Sequence, residues 1–234
     1  MAPRLALSVL IPTYNAADNL PALERRLTAG LKGLGPYEVV CVDDASGDGS
    51  ARLLGAWAKR SRGRVRVLAL GANGGQHAAL LRGLALCRGD AIVTLDDDLQ
   101  HPPECIPALL AGLTPGVDLA YGVGDGREQA WWRRLLSPPA RRLLSACIPG
   151  LSPRLSGFRT MRRPAALKAL AVAQGRPAPF LDGALALSGA RAAWVALPLA
   201  PRAQGRSGYR LGSLVAYTWG ALRSYSPLFA WARP

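Results

Sequence analysis

The segment Ala91-Ile92-Val93-Thr94-Leu95-Asp96-Asp97-Asp98-Leu99-Gln100-His101-Pro102-Pro103-Glu104 decides how this chain is read. It opens as an apolar run of strand length and passes without a spacer into adjacent carboxylates. The same order recurs upstream. Strand candidates Leu5–Ile11, Tyr37–Val42 and Val65–Leu70 are followed by Thr13, Tyr14 and Asn15, by Asp43 and Asp44, and by Asn73. Helical patterns near Asn19–Lys32, Gly49–Lys59, Gln76–Cys87 and Pro103–Leu113 separate the strands, and Leu119–Tyr121 continues the series. Strands without polar alternation, alternating with helices, predict an α/β domain built on a parallel sheet covered on both faces. Ligands of such sheets gather at the carboxyl ends of the strands. Those are the ends where this chain places its polar residues.

Adjacent carboxylates repel one another, so a folded chain keeps them together only with a cation or strong donors nearby. In an extended segment Asp96 and Asp98 project to one side and Asp97 to the other. A divalent ion could then touch Asp98 directly, and Asp96 directly or through water. Hard oxygen ligands with positions left open for phosphates suit Mg²⁺ or Mn²⁺. The plainer alternative is an acidic turn that caps the helix starting near Pro103. In Val42-Asp43-Asp44-Ala45-Ser46-Gly47-Asp48-Gly49, Asp44 is placed to accept from a base N–H, and Asp48 reads as a helix cap. The Tyr14 ring of Ile11-Pro12-Thr13-Tyr14-Asn15 could stack on a base. His77 and His101 are lone histidines, and His101 is read as organising the loop after the acids.

Beyond Tyr121 the texture changes. Gly122, Gly124 and Gly126 lead into an arginine-rich helix candidate, Trp131–Cys147. A short strand near Phe158–Met161, an apolar region near Phe180–Leu187 and a β-like run Ala193–Leu199 follow. Next come the polar loop Arg202–Arg210 and a helical, aromatic end, Leu211–Trp231. Half of the 234 residues are hydrophobic, which argues against wholesale disorder. The formal charge of +14 is nearly all arginine and suits an anionic partner, although replacement of lysine by arginine across a genome would produce part of it. The scattered cysteines Cys41, Cys87, Cys105 and Cys147 show no metal-ligand spacing and read as free thiols in a reducing compartment. No run of apolar residues is long enough for a transmembrane helix, and the chain starts without a signal-peptide pattern.

These motifs, in this order and spacing, resemble the GT-A-fold family 2 glycosyltransferases. The stretch Asn73, Gly75-Gln76-His77, Gly83, Gly89-Asp90 and the acidic run is most similar to the polyprenyl-phosphate sugar transferases of the dolichyl-phosphate mannose synthase and undecaprenyl-phosphate type. Ser156-Gly157-Phe158-Arg159 and the Pro201–Tyr209 segment also resemble theirs. The resemblance implies a Rossmann-like, mostly parallel sheet with flanking helices over residues 1–210, and a C-terminal amphipathic and aromatic helical segment, 211–234. It further implies a nucleotide-binding half, 1–121, and an acceptor-binding half, 122–210.

By that resemblance Pro12, Tyr14, Asn15 and Asp44 would surround the nucleotide, with Gln76 and Asp96 nearby. Asp96, Asp98 and Gln100 would hold Mg²⁺ or Mn²⁺ on the donor diphosphate. Arg202, Ser207 and Tyr209 would close over phosphate, and Arg134 with Ser137 would receive the acceptor's phosphate. The chain departs from the pattern at Ala16, where a glutamate is usual, and at Gly208, where a lysine is. Gly124 stands where an arginine is common, a place Arg127 could fill, and Gly157 where some relatives carry an aspartate proposed as base.

The implied partners are a UDP- or GDP-linked sugar and a polyprenyl phosphate, with peripheral contact at the cytoplasmic face of the cell membrane. Arg133, Arg134, Arg141 and Arg142 with Trp131 and Trp132 would make an interfacial helix, or simply a solvated basic face. A phosphate monoester is already a nucleophile near neutrality, with a second pKa of about 6, so it needs no base, whereas a sugar hydroxyl does. The Gln-x-x-Arg-Trp pattern of processive synthases is missing, since Gln129-Ala130-Trp131-Trp132 does not supply it. Transfer by a soluble family 2 enzyme to a saccharide or protein hydroxyl is the alternative. A basic nucleic-acid-binding domain is disfavoured by the carboxylates and by the lack of any recognisable binding motif.

Overall fold

A computed structural model describes residues 5–124, 142–176, 180–198 and 211–228. The described elements run β1 (Leu7–Thr13), α1 (Leu20–Gly30), β2 (Tyr37–Asp43), α2 (Ser50–Arg60), β3 (Val65–Ala69), α3 (Gln76–Leu84) and β4 (Ala91–Thr94). A 3₁₀ turn Pro103–Cys105, α4 (Ile106–Ala111) and β5 (Leu119–Val123) follow. Residues 142–147 are helical, here α5. The chain continues through β6 (Arg159–Arg162), α6 (Arg163–Ala173), α7 (Leu181–Leu187), β7 (Ala192–Ala196) and α8 (Leu211–Tyr225).

The strands form one seven-stranded sheet in the order β3-β2-β1-β4-β6-β5-β7. Only β6 runs antiparallel to its neighbours, so the sheet is mixed but mostly parallel, as expected. Alternate residues of the central strands feed opposite faces. Val9, Ile11, Val39 and Cys41 pack with Leu23, Leu27, Leu54, Trp57 and Ile106 of α1, α2 and α4. Leu10, Val40 and Val42 pack with Leu80, Leu84, Ala169, Leu185 and Tyr225 of α3, α6, α7 and α8. Strands buried on both faces cannot alternate in polarity, which is why the sequence shows continuous apolar runs.

Boundaries moved by one to three residues, the largest at the ends of α3 and β7. β1 extends through Thr13, and β4 stops at Thr94, short of Leu95. This difference opens a crevice. β1 pairs with β2 as far as Thr13↔Asp43, but with β4 only as far as Leu10↔Thr94. The Leu10 carbonyl accepts the Leu95 N–H, so backbone groups of that parity face β4. Pro12 shares the parity and has no N–H to offer. It sits where the ladder towards β4 has ended, so no N–H is stranded there. Because β1 connects to neighbours on opposite sides, this gap between β1 and β4 is the switch point of the sheet.

The four cysteines are free thiols. Among the described residues no helix is long and apolar enough to cross a membrane.

Candidate active site

The crevice is walled by the exits of β1, β2 and β4 and by the start of α3. After β1 the backbone N–H of Tyr14 donates to Asp97 Oδ2 at 3.2 Å, and the Tyr14 ring is left half exposed. Asn15 takes a left-handed φ of +50°, which asparagine tolerates better than most residues. Its N–H donates to Ser46 Oγ at 2.9 Å and its side-chain oxygen accepts the Gly47 N–H at 2.8 Å. Asn15 thus joins the loop after β1 to the loop after β2. Asp48 completes that join: it accepts the Ala17 N–H through Oδ2, and the Ser50 N–H and hydroxyl through Oδ1 at the entry of α2. The N-cap position itself falls on Gly49, with no side-chain cap bond, so Asp48 stands one residue earlier than a cap and serves the helix entry and the neighbouring loop together.

Asp44 is buried, and its two oxygens accept the N–H groups of Gly74 and Gly75 at 2.8 Å each. Gly75 has φ +83° and ψ 162°, a conformation open only to glycine, and it turns the chain into α3. The carboxylate expected to face a base therefore also clamps the turn that places Gln76. Gln76 Nε2 donates to Asp96 Oδ1 at 2.6 Å.

The three acids take different environments. Asp96 is partly exposed; its N–H donates to His101 Nδ1 at 3.3 Å, and that nitrogen lies 3.7 Å from Asp96 Oδ2. The His101 ring stacks on Phe158 with centroids 5.3 Å apart, so the histidine organises the turn. Asp97 lies in the turn after β4, not in the extended segment expected, and faces the β1 loop. Burial, and then the charges of Asp96 and Asp98, push its carboxyl up to about 7 against the N–H from Tyr14. Asp98 is buried within the turn, where Oδ1 accepts the Gln100 N–H at 3.1 Å around Leu99, whose φ is +62°.

Gly157, just ahead of β6, stands against this group from the side of β4 away from β1. A Cβ built on it would stand 2.9 Å from Asp96 Oδ2 and 3.1 Å from Oδ1. Behind it lies a buried polar network that the sequence did not announce. Thr94 Oγ1 donates to the Gly157 carbonyl at 2.7 Å and accepts from Arg159 Nε at 3.2 Å. Arg159 forms an ion pair with Asp182, which also accepts the Tyr121 hydroxyl at 2.7 Å. The Asp182 charge keeps the Arg159 guanidinium ionised against the pull of burial. A signal existed: a lone aspartate in the apolar stretch Phe180–Leu187 has to find a buried cation.

Among the described residues no cluster of three or more His, Cys, Asp or Glu side chains is arranged as a metal cage. Asp96, Asp98 and Gln100 instead supply hard oxygens from a single turn. That set fits an ion of the Mg²⁺ or Mn²⁺ type, which is commonly held by one or two carboxylates with its remaining positions open to phosphate and water. Of the residues singled out from sequence, Tyr14, Asp44, Gln76 and Asp96 stand at the crevice, and Asp98 and Gln100 lie in the turn that follows Asp96. Asn15 braces the crevice wall, and Pro12 is buried in β1. Arg127, Arg134, Ser137, Arg202, Ser207 and Tyr209 lie outside the described residues.

Comparison with known proteins agrees with this geometry. Residues 8–171 match Glycosyl transferase family 2. The chain belongs to that family. Over 129 residues it is 46% identical to the undecaprenyl-phosphate 4-deoxy-4-formamido-L-arabinose transferase of Pseudomonas paraeruginosa. That match takes in 55% of this chain and spans only 38% of the relative's length. Among solved structures, the glucosyl-3-phosphoglycerate synthase of Mycobacterium tuberculosis with Mn²⁺, UDP and glucosyl-3-phosphoglycerate has a TM-score of 0.65 and 24% identity, covering 94% of this chain and 79% of that one. The same synthase has also been solved with Mg²⁺ and UDP. Mannosyl-3-phosphoglycerate synthase of Rubrobacter xylanophilus has a TM-score of 0.63 and 20% identity, covering 94% of this chain and 72% of that one. At such identities the likeness establishes the GT-A-like fold.

Proposed function

We propose that this chain transfers one sugar, with inversion, from a UDP- or GDP-linked donor to a polyprenyl phosphate. The observation that carries this reading is the placement of Tyr14, Asp44 and the Gln76–Asp96 pair around the β1–β4 crevice, with Asp98 in the adjoining turn. On this reading Tyr14 stacks on the base and Asp44 holds both the base and the turn into α3. Asp96, Asp98 and Gln100 hold Mg²⁺ or Mn²⁺. When bound, the ion neutralises charge on the departing nucleoside diphosphate. Gln76 orients the Asp96 carboxylate by its hydrogen bond.

Arg202, Ser207 and Tyr209 are assigned to the donor phosphates, and Arg127, Arg134 and Ser137 to the acceptor phosphate. Residues 1–121 then form the donor half, 122–210 the acceptor half, and 211–234 a C-terminal helical segment whose Ala221, Leu222 and Tyr225 join the core. The acceptor is supported by the named activity of the Pseudomonas relative. The chemistry on this side of the crevice is also suited to it. Gly157 carries no carboxylate, and Asp182 is committed to Arg159 and Tyr121. A hydroxyl acceptor would need a base there; a phosphate monoester does not. Exposed Trp219 and Leu228 at the end of the chain, with the arginine-rich stretch 131–147, support peripheral contact with the inner membrane face.

The test is a screen of UDP- and GDP-sugars with Mn²⁺ or Mg²⁺, with and without a short polyprenyl phosphate. A glycosyl phosphate lipid formed only when the lipid is present supports the reading. Transfer to a saccharide hydroxyl in its absence overturns the acceptor assignment.

A further inference from the structure

Thr94 ends β4 two residues before Asp96, and it is 1% exposed. Its single oxygen does two jobs at once, donating to the Gly157 carbonyl and accepting from Arg159 Nε. Only a hydroxyl does both; a methyl does neither. Arg159 is anchored in turn by Asp182, and Asp182 by Tyr121, so the guanidinium is held from β5 and α7 as well as from its own strand. At the other end of the relay Gly157 stands against the Asp96 carboxylate, close enough that one added carbon would collide with it. The Asp96 carboxylate therefore lies between Gln76 Nε2 on α3 and the Gly157 backbone.

We propose that Thr94 is a positioning residue of the transferase: through the Gly157 carbonyl it sets the backbone wall that holds the Asp96 carboxylate at the donor. The inference rests on the assignment of Asp96 to the donor and metal. It makes the bare Cα at position 157 a requirement for where that carboxylate lies. A polar layer behind metal-binding groups acts in this way, by restricting their orientation rather than by touching the ion.

The experiment compares full-length wild type, Thr94→Val, Thr94→Ser and Gly157→Ala. Thr94→Val keeps the shape and removes both hydrogen bonds, whereas Thr94→Ser keeps the hydroxyl. The first readout is binding of UDP and GDP, each with Mn²⁺, by calorimetry. The others are the Mn²⁺ dependence of turnover and cooperative thermal unfolding. The expectation is that Thr94→Val weakens Mn²⁺-dependent nucleotide binding by about 10-fold or more and raises the Mn²⁺ needed for half-maximal turnover. Thr94→Ser restores both, and Gly157→Ala shares the defect of Thr94→Val. A folded Thr94→Val that binds like wild type overturns the inference, as does a Thr94→Ser no better than Thr94→Val. Should Thr94→Val not fold, unchanged binding by a folded Gly157→Ala overturns it, and weakened binding supports it. A wild type that binds neither nucleotide with Mn²⁺ overturns the donor assignment itself, a result distinct from any difference among variants.

Discussion

The middle carboxylate of the acidic run, Asp97, accepts the Tyr14 N–H at 3.2 Å and so ties the exit of β4 to the exit of β1. Its neighbours Asp96 and Asp98 are engaged elsewhere, by Gln76 Nε2 and by the Gln100 N–H. Substitution of each should therefore have a different result. Asp97→Asn keeps an acceptor oxygen for Tyr14 and relieves repulsion from its neighbours, so it should fold with an unchanged or raised Tm and keep most of the activity. Asp98→Asn should leave the melt intact and lower turnover on the order of 100-fold, the scale of losing one group that stabilises transition-state charge. Parallel melts and initial rates check both, and equal losses in the two variants would contradict the division of roles.

Asp182→Ala would strand the Arg159 guanidinium in a site where the arginine is 2% exposed. Breaking a buried pair from one side costs about 3–5 kcal/mol. Denaturant titration should show a loss of that size, with no comparable loss for Arg191→Ala, whose partner Asp118 is partly exposed.

Packing makes a prediction at Gly83, where α3 crosses the sheet. A Cβ there would stand 2.3 Å from Leu10 Cδ1 and 2.7 Å from Val42 Cγ2. Gly83→Val should destabilise the fold by about 1–3 kcal/mol through overpacking. Denaturant unfolding measures the loss, and a neutral Gly83→Val would mean that α3 can lift without penalty.

His77 gives a pH dependence with a definite sign. Half-buried, His77 sets its ring edge-on to Phe180, 5.2 Å between centroids, and desolvation lowers its pKa from 6.5 to about 4, with Asp182 opposing and Arg159 assisting. The unfolded chain takes up this proton first as the pH falls. The contribution of neutral His77 is then complete above about pH 6.5 and is lost as the pH drops towards 4. Wild type should lose more stability than His77→Leu on moving from neutrality to about pH 5, read from denaturant midpoints. Equal losses would place the acid sensitivity in the carboxylates instead.

At the other end of the sheet, Glu38 is buried under Ser8 Oγ and the Arg88 N–H, which donate to Oε1 at 2.8 and 2.7 Å. Glu38→Ala takes that acceptor from the Ser8 hydroxyl and leaves the Arg88 N–H only its longer bond to Ser8 Oγ at 3.2 Å, and should cost about 1–3 kcal/mol. The site lies at the amino ends of β1 and β2, away from the crevice, so activity per folded molecule should be unchanged.

The periodicity that made Ala91–Leu95 a strand reported a real physical demand. A residue flanked by helices on both faces of a sheet has to be apolar whichever way it points. The placement of Asp44 and the acids at strand exits was legible for the same reason, because polar groups are excluded from such a core and collect where it ends. Gln76, the first residue of α3, was picked out by the resemblance alone. The alternation expected over Asp96–Asp98 did not apply, because the strand ends at Thr94 and Asp97 and Asp98 lie in a turn. Partners were not legible. That Asp44 clamps the Gly74 and Gly75 amides, or that Asn15 braces the loop after β2, depends on which strand exits are neighbours.

By itself, then, the sequence determined the class of sheet, the end of it that carries chemistry and the family to which the chain belongs. These depend on local polarity and spacing, which a linear chain carries without being folded. Only the tertiary structure decided that β4 leaves β1 at Thr94, so that Pro12 borders a crevice. Only it decided that Asp182 reaches Arg159 and, through Thr94, the Gly157 wall beside Asp96. Those contacts join residues as many as 65 positions apart. Their pairing is set by the order in which strands enter the sheet, a choice made by the packing of the whole chain.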